Sequence, residues 1–271
     1  MRLTTIRHDG ATRAARVEGD VLVLLAAADV GELLATGADP LAEGPSLAAG
    51  DAERAPLVVR PEKIVCVGVN YRDHIAEMGR EVPDAPTYFA KYHRALIGPR
   101  DPIMLPPADV STQIDWEAEL AIVIGSPVRH ASPTDAFAAI AGFTVLNDVS
   151  VRDYQRRTTQ FLAGKTFEGM TPLGPQLVTT DEIGDGSGLA ITAEVDGVVK
   201  QSSNTSELVF NAVDIVADLS RIITLVPGDV IATGTPGGVT ARTPPEWMAD
   251  GTVLRTAIAG LGECVNTCRR P

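Results

Sequence analysis

Short apolar runs bounded by glycine, proline or aspartate recur along most of the chain and predict β-strands. Beyond residue 62 these runs fall at 63–69, 87–91, 117–124, 142–147, 189–195, 229–233 and 252–258. Helical periodicity is rarer, and its best example is 212–223, where Val213, Val216 and Leu219 share one face. Strands and helices do not alternate regularly, which argues against a Rossmann or TIM-barrel architecture. The pattern predicts a mainly β protein of the α+β class, built as a mixed β sandwich or roll.

The first 60 residues have a different pattern. Strand-like pieces at 3–6, 15–17 and 21–25 are followed by an alanine-rich stretch, 26–35, that predicts a helix. We therefore expect a small N-terminal α/β domain over residues 1–60 and a larger domain over residues 61–271. The small domain contains no cluster of convergent polar residues, so we expect it to support packing or dimerisation.

Composition and charge exclude several classes of partner. The chain has 271 residues, with 23 lysines and arginines against 35 acidic residues, so its formal net charge is −12. Because positive charge dominates binding to nucleic acids and anionic membranes, we expect neither partner. No stretch approaches the roughly 20 apolar residues of a membrane span. An anionic substrate would have to be met by positive charge gathered locally.

The N-terminus and the cysteines indicate a cytoplasmic protein. The first ten residues lack the apolar core of a secretory signal, and the cysteines are sparse and odd in number: Cys66, Cys264 and Cys268. No histidine or second cysteine pair lies near Cys264 and Cys268, which disfavours a zinc site. The glycine-rich segment 234–239 lacks the lysine and spacing of a phosphate-binding loop.

Three carboxylates form the strongest chemical signal. Glu117 and Glu119 lie two apart on a predicted strand, so their side chains point to the same face. Like charges this close repel unless one is protonated or a cation lies between them, although a solvated strand face is the plain alternative. Asp148 follows a buried strand at its polar end. An all-oxygen set without histidine or cysteine favours Mg²⁺ or Mn²⁺, with Ca²⁺ also compatible.

His74 and Glu77 form a second candidate pair. Three residues apart on a helical turn, they share one face. A carboxylate that holds one imidazole nitrogen leaves the other nitrogen free to act as a general base. The alternative is a solvent-exposed ion pair.

Several motifs in order resemble the fumarylacetoacetate hydrolase superfamily over residues 63–266. They are GVNYRDHIAEM (68–78), FAK (89–91), WEAELAIVIG (116–125), LNDVSVRDYQ (146–155), GKTFEG (164–169), NTS (204–206) and PGDVIATGTPGGV (227–239). The resemblance implies a metal-dependent homodimeric enzyme with the mixed β-sandwich roll of that family. It further implies a small anionic substrate, a 2-oxo or 1,3-diketo acid.

The resemblance also implies roles for individual residues. The metal carboxylates fall on Glu117, Glu119 and Asp148, as the residue pattern had indicated. The family's oxyanion-stabilising lysine falls on Lys165. Its substrate-binding residues fall on Arg152, Gln155 and Thr235. Its water-activating pair, which lies on a lid, falls on His74 and Glu77. Taken alone, Lys165 could be a surface lysine, and Arg152 could pair with Asp153 or another acidic neighbour.

The predicted reaction is hydrolysis of a C–C bond in an acylpyruvate-type substrate. An isomerase of the 2-hydroxyhepta-2,4-diene-1,7-dioate type in aromatic catabolism, or an oxaloacetate decarboxylase, would use the same enolate chemistry. A non-catalytic metal-stabilised binding protein is the rival from another class, but it would need neither His74 with Glu77 nor Lys165. The bulky and basic Tyr92-His93-Arg94 departs from the family pattern, and we expect it to alter the mouth of the pocket.

Overall fold

The computed structural model describes residues 1–240 and 245–271. Its strands are β1 (Arg2–His8), β2 (Ala11–Glu18), β3 (Val21–Leu24), β4 (Ser46–Ala48), β5 (Ile64–Gly68), β6 (Thr87–Lys91), β7 (Leu96–Ile97), β8 (Ile103–Met104), β9 (Ile114–Asp115), β10 (Ala118–Ile124), β11 (Ile140–Asn147), β12 (Ser150–Val151), β13 (Thr171–Thr179), β14 (Ala190–Val195), β15 (Val198–Asn204), β16 (Val230–Ala232), β17 (Val253–Ile258) and β18 (Gly262–Arg269). The α-helices are α1 (Val30–Thr36), α2 (Arg72–Glu77), α3 (Pro133–Ala138), α4 (Arg152–Gln155), α5 (Leu162–Lys165), α6 (Thr180–Ile183) and α7 (Ala212–Ile222).

Two sheets carry the fold. The larger has the strand order β4-β3-β2-β1-β13-β11-β10-β16-β5-β6, and β7 pairs with β13. The smaller has the order β15-β14-β17-β18-β8. β10 and β11 contact β17, and β13 contacts β18, so the sheets face each other. This confirms the predicted mixed, mainly β sandwich.

The main core lies on the central strands of the larger sheet. Every residue of β10 is buried, because one face packs against the smaller sheet and helix α7 while the other packs against a second apolar cluster. A strand that is covered on both faces has a continuous run of apolar residues in its sequence, and not an alternation of apolar and polar residues. The polar groups that interrupt such a run are therefore expensive to bury, and they mark the site described below.

The N-terminal strands continue the larger sheet. β1 pairs with β13 through Arg2 opposite Val178 and Leu3 opposite Leu177. Helix α1 begins at Val30, later than the predicted 26–35, because the Asp29 carboxylate caps it by accepting the Glu32 N–H at 2.7 Å. The division into domains at residue 60 stays a prediction.

Each predicted strand of the C-terminal part overlaps an observed one, and the predicted helix 212–223 corresponds to α7. β13 was not predicted, because Pro172, Gly174 and Pro175 within it resemble a loop. In the described part of the chain, no helix has the length and apolar character needed to cross a membrane.

Candidate active site

The antiparallel pairing of β10 with β11 brings the three predicted metal carboxylates together. Ala118 lies opposite Asn147, so Glu117 and Asp148 flank the same end of the strand pair. The Asp148 N–H donates to the Glu117 carbonyl at 2.8 Å. One carboxylate oxygen from each of Glu117, Glu119 and Asp148 lies within 4.8 Å of the others, and all three side chains are buried. The solvated-strand alternative for Glu117 and Glu119 is therefore wrong.

Two buried lysines neutralise this cluster. Lys165 Nζ lies 2.6 Å from Glu117 Oε2 and 2.8 Å from Asp148 Oδ2, and its side chain is only 2% exposed. The surface-lysine alternative for Lys165 is thus wrong. Lys91 Nζ donates to Asp148 Oδ1 and is also fully buried. Sequence reasoning missed Lys91, although a lysine at the end of the apolar strand β6 was a signal.

Arg152 pairs with acidic residues other than Asp153, the neighbour named in the alternative above. Its Nη2 lies 2.6 Å from both Asp115 Oδ2 and Glu117 Oε1, and its Nη1 donates to Gln155 Oε1 at 2.8 Å. Asp115 is fully buried and was also missed, because its importance appears only once Arg152 lies beside it. The arrangement fixes Glu117 and Gln155 relative to each other.

The two strand glutamates have opposite electrostatic environments. Burial alone would raise the pKa of Glu117, but the Lys165 and Arg152 cations outweigh it and lower this pKa to about 2. Burial, together with repulsion from Asp148 and Glu117, raises the pKa of Glu119 well above its usual range. Glu119 accepts a hydrogen bond from the Gly234 N–H at 2.7 Å. The cluster therefore carries a carboxylate that a further cation would stabilise.

Lys165 remains an ammonium ion in this environment. Burial would lower its pKa, but the carboxylates of Asp148 and Glu117 raise it above the ordinary value. A lysine with a raised pKa stabilises negative charge and does not act as a general base. This electrostatic state agrees with the oxyanion-stabilising role that the resemblance implies.

Helix α2 places His74 against the cavity. His74 Nδ1 lies 3.5 Å from Glu77 Oε2, which accepts the Gly238 N–H at 3.0 Å. A Cβ at Gly237 would lie 3.2 Å from the same carboxylate oxygen, so glycine permits this close approach. The His74 side chain is only 13% exposed and that of Glu77 is 34% exposed, so the imidazole half of the pair does not match the alternative of a solvent-exposed ion pair.

Thr235 lies in the glycine-rich loop after β16, where it is buried at the cavity wall. Gln201 from β15 positions it by donating Nε2 to Thr235 Oγ1 at 2.8 Å, while Gln201 Oε1 accepts the Ala118 N–H at 2.9 Å. Gln201 thus ties the loop to the start of β10. Sequence reasoning did not single it out.

A cavity of 680 Å³ opens above the cluster. Its lining contains the predicted residues His74, Glu77, Glu117, Glu119, Arg152, Gln155, Lys165 and Thr235, while Asp148 lies beneath it, bonded to the lysines. The prediction that Tyr92, His93 and Arg94 shape the mouth is wrong, because these residues are exposed outside the lining. Positive charge at the mouth comes from Arg80 and Arg156 instead.

The sequence pattern described as "Fumarylacetoacetate (FAA) hydrolase C-terminal" matches residues 63–269. The chain belongs to the fumarylacetoacetate hydrolase family. A fumarylacetoacetate hydrolase from Exiguobacterium antarcticum superposes with a TM-score of 0.91 at 32% identity, over all of both chains. The 5-carboxymethyl-2-hydroxymuconate delta-isomerase from Mycobacterium smegmatis gives a TM-score of 0.85 at 34% identity, again over all of both chains.

Among curated relatives, the mitochondrial oxaloacetate tautomerase Fahd2a of Rattus norvegicus is 46% identical over 211 residues, covering 77% of this chain and 67% of that protein. The family resemblance is confirmed, and the chain is a family enzyme. These relatives do not confirm C–C hydrolysis. Cytoplasmic location and homodimerisation stay predictions.

The cluster fits the divalent ion that membership of this family implies. Two oxygens bound to one ion can lie at most twice the metal–oxygen distance apart, about 4.2 Å for Mg²⁺ and about 5 Å for Ca²⁺. The three carboxylate oxygens lie within 4.8 Å of one another, which already suits Ca²⁺, and binding of Mg²⁺ would draw them together to about 4.2 Å. Glu117 and Asp148 oxygens already accept from lysine or arginine, but a carboxylate oxygen keeps a second lone pair. Glu117, Glu119 and Asp148 would hold the ion.

Proposed function

We propose that this protein is a Mg²⁺- or Mn²⁺-dependent enzyme that interconverts the keto and enol forms of a 2-oxo acid, with oxaloacetate as the first candidate. The observation that carries the proposal is the convergence of a buried three-carboxylate cluster, the Lys165 ammonium and the His74 imidazole on one cavity. The oxaloacetate tautomerase name of the relative at 46% identity supports the same reaction.

The residues of the chain divide the work of proton transfer. In this proposal the Glu77 carboxylate, 3.5 Å from His74 Nδ1, orients the imidazole, and His74 takes a proton from C3 of the substrate through Nε2. The C3–H electron pair forms a C2–C3 double bond while the π electrons of the C2–O bond move onto the oxygen, and Lys165 stabilises the negative charge that develops there. Protonation of the oxygen gives the enol, and the reverse steps give the keto form. A bound divalent ion would supply Lewis-acid polarisation of the oxo group.

In this proposal Gln155 and Thr235 orient the substrate, and Arg152 positions Gln155. The Arg152 guanidinium donates to Asp115, Glu117 and Gln155, so its role in substrate binding is to hold the Gln155 amide in place. In this proposal the Gln155 amide and the Thr235 hydroxyl contact the C1 carboxylate.

C–C hydrolysis of an acylpyruvate is the second candidate, favoured by the placement of His74 and Glu77 beside a cavity with room for water. His74 would take a proton from water, and the resulting hydroxide would attack the carbonyl at C4. Cleavage of the C3–C4 bond would leave its electron pair as the pyruvate enolate and release a carboxylic acid. Protonation of C3 would then give pyruvate. Decarboxylation of oxaloacetate would release carbon dioxide through the same enolate.

Product analysis separates these reactions. Proton NMR of oxaloacetate and acetylpyruvate, each incubated with the Mg²⁺-loaded enzyme, should show accelerated enol–keto conversion of oxaloacetate without pyruvate formation beyond the uncatalysed rate. His74→Ala should slow conversion about 10²- to 10⁴-fold, the usual contribution of a positioned base. Metal affinity should stay unchanged, since His74 lies outside the carboxylate cluster. Acetate and pyruvate from acetylpyruvate, with no effect on oxaloacetate, would replace tautomerisation by hydrolysis.

A further inference from the structure

Two arginines at the mouth of the cavity have no role in the reaction proposed above. Arg80 and Arg156 both line the cavity that ends on the carboxylate cluster, and both are exposed. Within residues 1–240 and 245–271, neither guanidinium makes a hydrogen bond or an ion pair. Arg152, which lines the same cavity, directs most of its N–H donors to protein partners. Free positive charge is therefore concentrated at the mouth.

The backbone after α2 directs Arg80 to this place. Gly79 has a left-handed φ of 62°, its N–H donates to the Ala76 carbonyl at 3.0 Å, and the Arg80 N–H donates to the Ile75 carbonyl at 3.1 Å. These two bonds form a Schellman motif, which reverses the chain at the helix end. Arg80 consequently stays beside the helix that carries His74, instead of leaving with the following loop.

Helix α4 ends at Gln155, directly before Arg156, and leads Arg156 into the same cavity lining. The Arg156 N–H donates to the Arg152 carbonyl at 3.1 Å, which closes one helical turn. Residues four apart lie on the same helix face, separated by about 6 Å along the axis. Arg156 thus repeats Arg152 one turn further from the cluster. The next residue, Arg157, does not line the cavity, and its guanidinium lies 3.3 Å from the centre of the Tyr154 ring.

Apolar side chains contribute to the same lining as the two arginines. Met78, Phe89 and Phe161 lie in this wall, and the two phenylalanine rings meet edge to face at 5.6 Å. A volume of 680 Å³ lies within the range of about 300–1,000 Å³ that encloses ligands far larger than a four-carbon acid. The cavity therefore offers a site for a 2-oxo acid, apolar wall surface, and a cationic mouth.

We infer that Arg80 and Arg156 are specificity-determining residues that bind a second anionic group of the substrate, separated from the reacting 2-oxo acid by a short apolar segment. The inference rests on the proposed function, which places the 2-oxo acid at the carboxylate cluster. In a chain of net charge −12, two unpaired guanidinium groups at one opening attract an anion that the rest of the surface repels. An uncharged chain end would leave both groups without a partner.

Matched substrates test this assignment. Pairs of 2-oxo acids with equal carbon number carry either a carboxylate or a methyl group at the far end: 2-oxoglutarate with 2-oxopentanoate, and 2-oxoadipate with 2-oxohexanoate. For each acid, calorimetry measures binding to the Mg²⁺-loaded protein, and NMR in D₂O follows exchange of the C3 protons. Arg80→Gln and Arg156→Gln are compared with Arg157→Gln, which removes the same charge outside the cavity.

In at least one pair, the wild type should bind the diacid about tenfold more tightly than its methyl partner, as expected for a charge-assisted contact at a partly exposed site. Arg80→Gln and Arg156→Gln should each remove most of this preference, raise KM for the diacid and leave kcat unchanged. Arg157→Gln should retain it. The preference should shrink as salt is raised.

Equal binding within both pairs, or loss of the preference in Arg157→Gln to the same extent, would overturn the assignment. Absence of C3 exchange with every acid in the presence of metal would instead refute the proposed function. The binding measurement still decides the role of the arginines in that case, because it does not require turnover.

Discussion

Replacing Lys91 by methionine should destabilise the protein more than any surface charge substitution. The Lys91 ammonium is completely buried and donates to Asp148 Oδ1, so the substitution leaves a buried carboxylate with one cation fewer. Removing one partner of a buried ion pair usually costs about 3–5 kcal/mol. Asp148 keeps Lys165 at 2.8 Å, so we expect the lower end, about 3 kcal/mol. Methionine fills the space of the lysine stem and limits the cavity contribution.

Divalent metal should restore part of this loss. The Lys91→Met cluster carries one more unit of negative charge, so a divalent cation should bind it more tightly than it binds the wild type. Saturation at about 100 times the dissociation constant adds about 2.7 kcal/mol to the free energy of unfolding. The stability gained from Mg²⁺ at a fixed concentration should therefore be larger in the variant.

Urea unfolding followed by circular dichroism, with Mg²⁺ and with chelator, measures both effects. Lys200→Met is the matched control, because Lys200 pairs at the surface with Glu246, which is 69% exposed. Such a pair contributes at most about 1 kcal/mol. A Lys91→Met protein as stable in chelator as Lys200→Met would refute the reasoning, as would equal stabilisation of variant and wild type by Mg²⁺.

Glu119→Gln should weaken metal binding at least tenfold and abolish turnover, yet leave the metal-free protein as stable as the wild type or more so at pH 8. The pKa of Glu119 is higher in the folded than in the unfolded protein. The free energy of unfolding in chelator should therefore fall as pH rises through the folded-state pKa in the wild type, but not in Glu119→Gln. Urea unfolding at several pH values would show this difference. Arg152→Lys should lower kcat/KM about 10- to 100-fold in steady-state assays, since an ammonium cannot hold Asp115, Glu117 and Gln155 together. Gly79→Ala should lower the free energy of unfolding by about 1–2 kcal/mol because residue 79 has a left-handed φ of 62°; steric clash adds nothing, since a Cβ there meets no neighbour. Urea unfolding measures this loss, and KM for a diacid should rise in the same variant.

The parts of the site that sequence reasoning predicted have local signals. Glu117 and Glu119 share a face because strand side chains alternate, and Asp148 stands out because it ends an apolar run. His74 and Glu77 are one helical turn apart. These relations need only the nearest few residues, and the structure brings all five side chains to one cavity or its floor.

The missed residues depend on partners far along the chain. Lys91 is separated by 57 positions from Asp148, Asp115 by 37 from Arg152, and Gln201 by 83 from Ala118. Each is an ordinary polar residue until the sheet order brings its partner beside it. A similar limit applies to β13, whose place between β1 and β11 follows from pairing rather than from its own proline- and glycine-containing sequence.

The most direct measurement of the central claim is the rate at which the enol of oxaloacetate converts to the keto form, followed by the ultraviolet absorbance of the enol. It is made with Mg²⁺ and again after verified metal removal, in the wild type and in Glu117→Gln. We predict fast conversion only in the metal-loaded wild type, with restoration when Mg²⁺ is returned. An unchanged wild-type rate after metal removal, or full activity in Glu117→Gln, would contradict a function built on the buried carboxylate cluster.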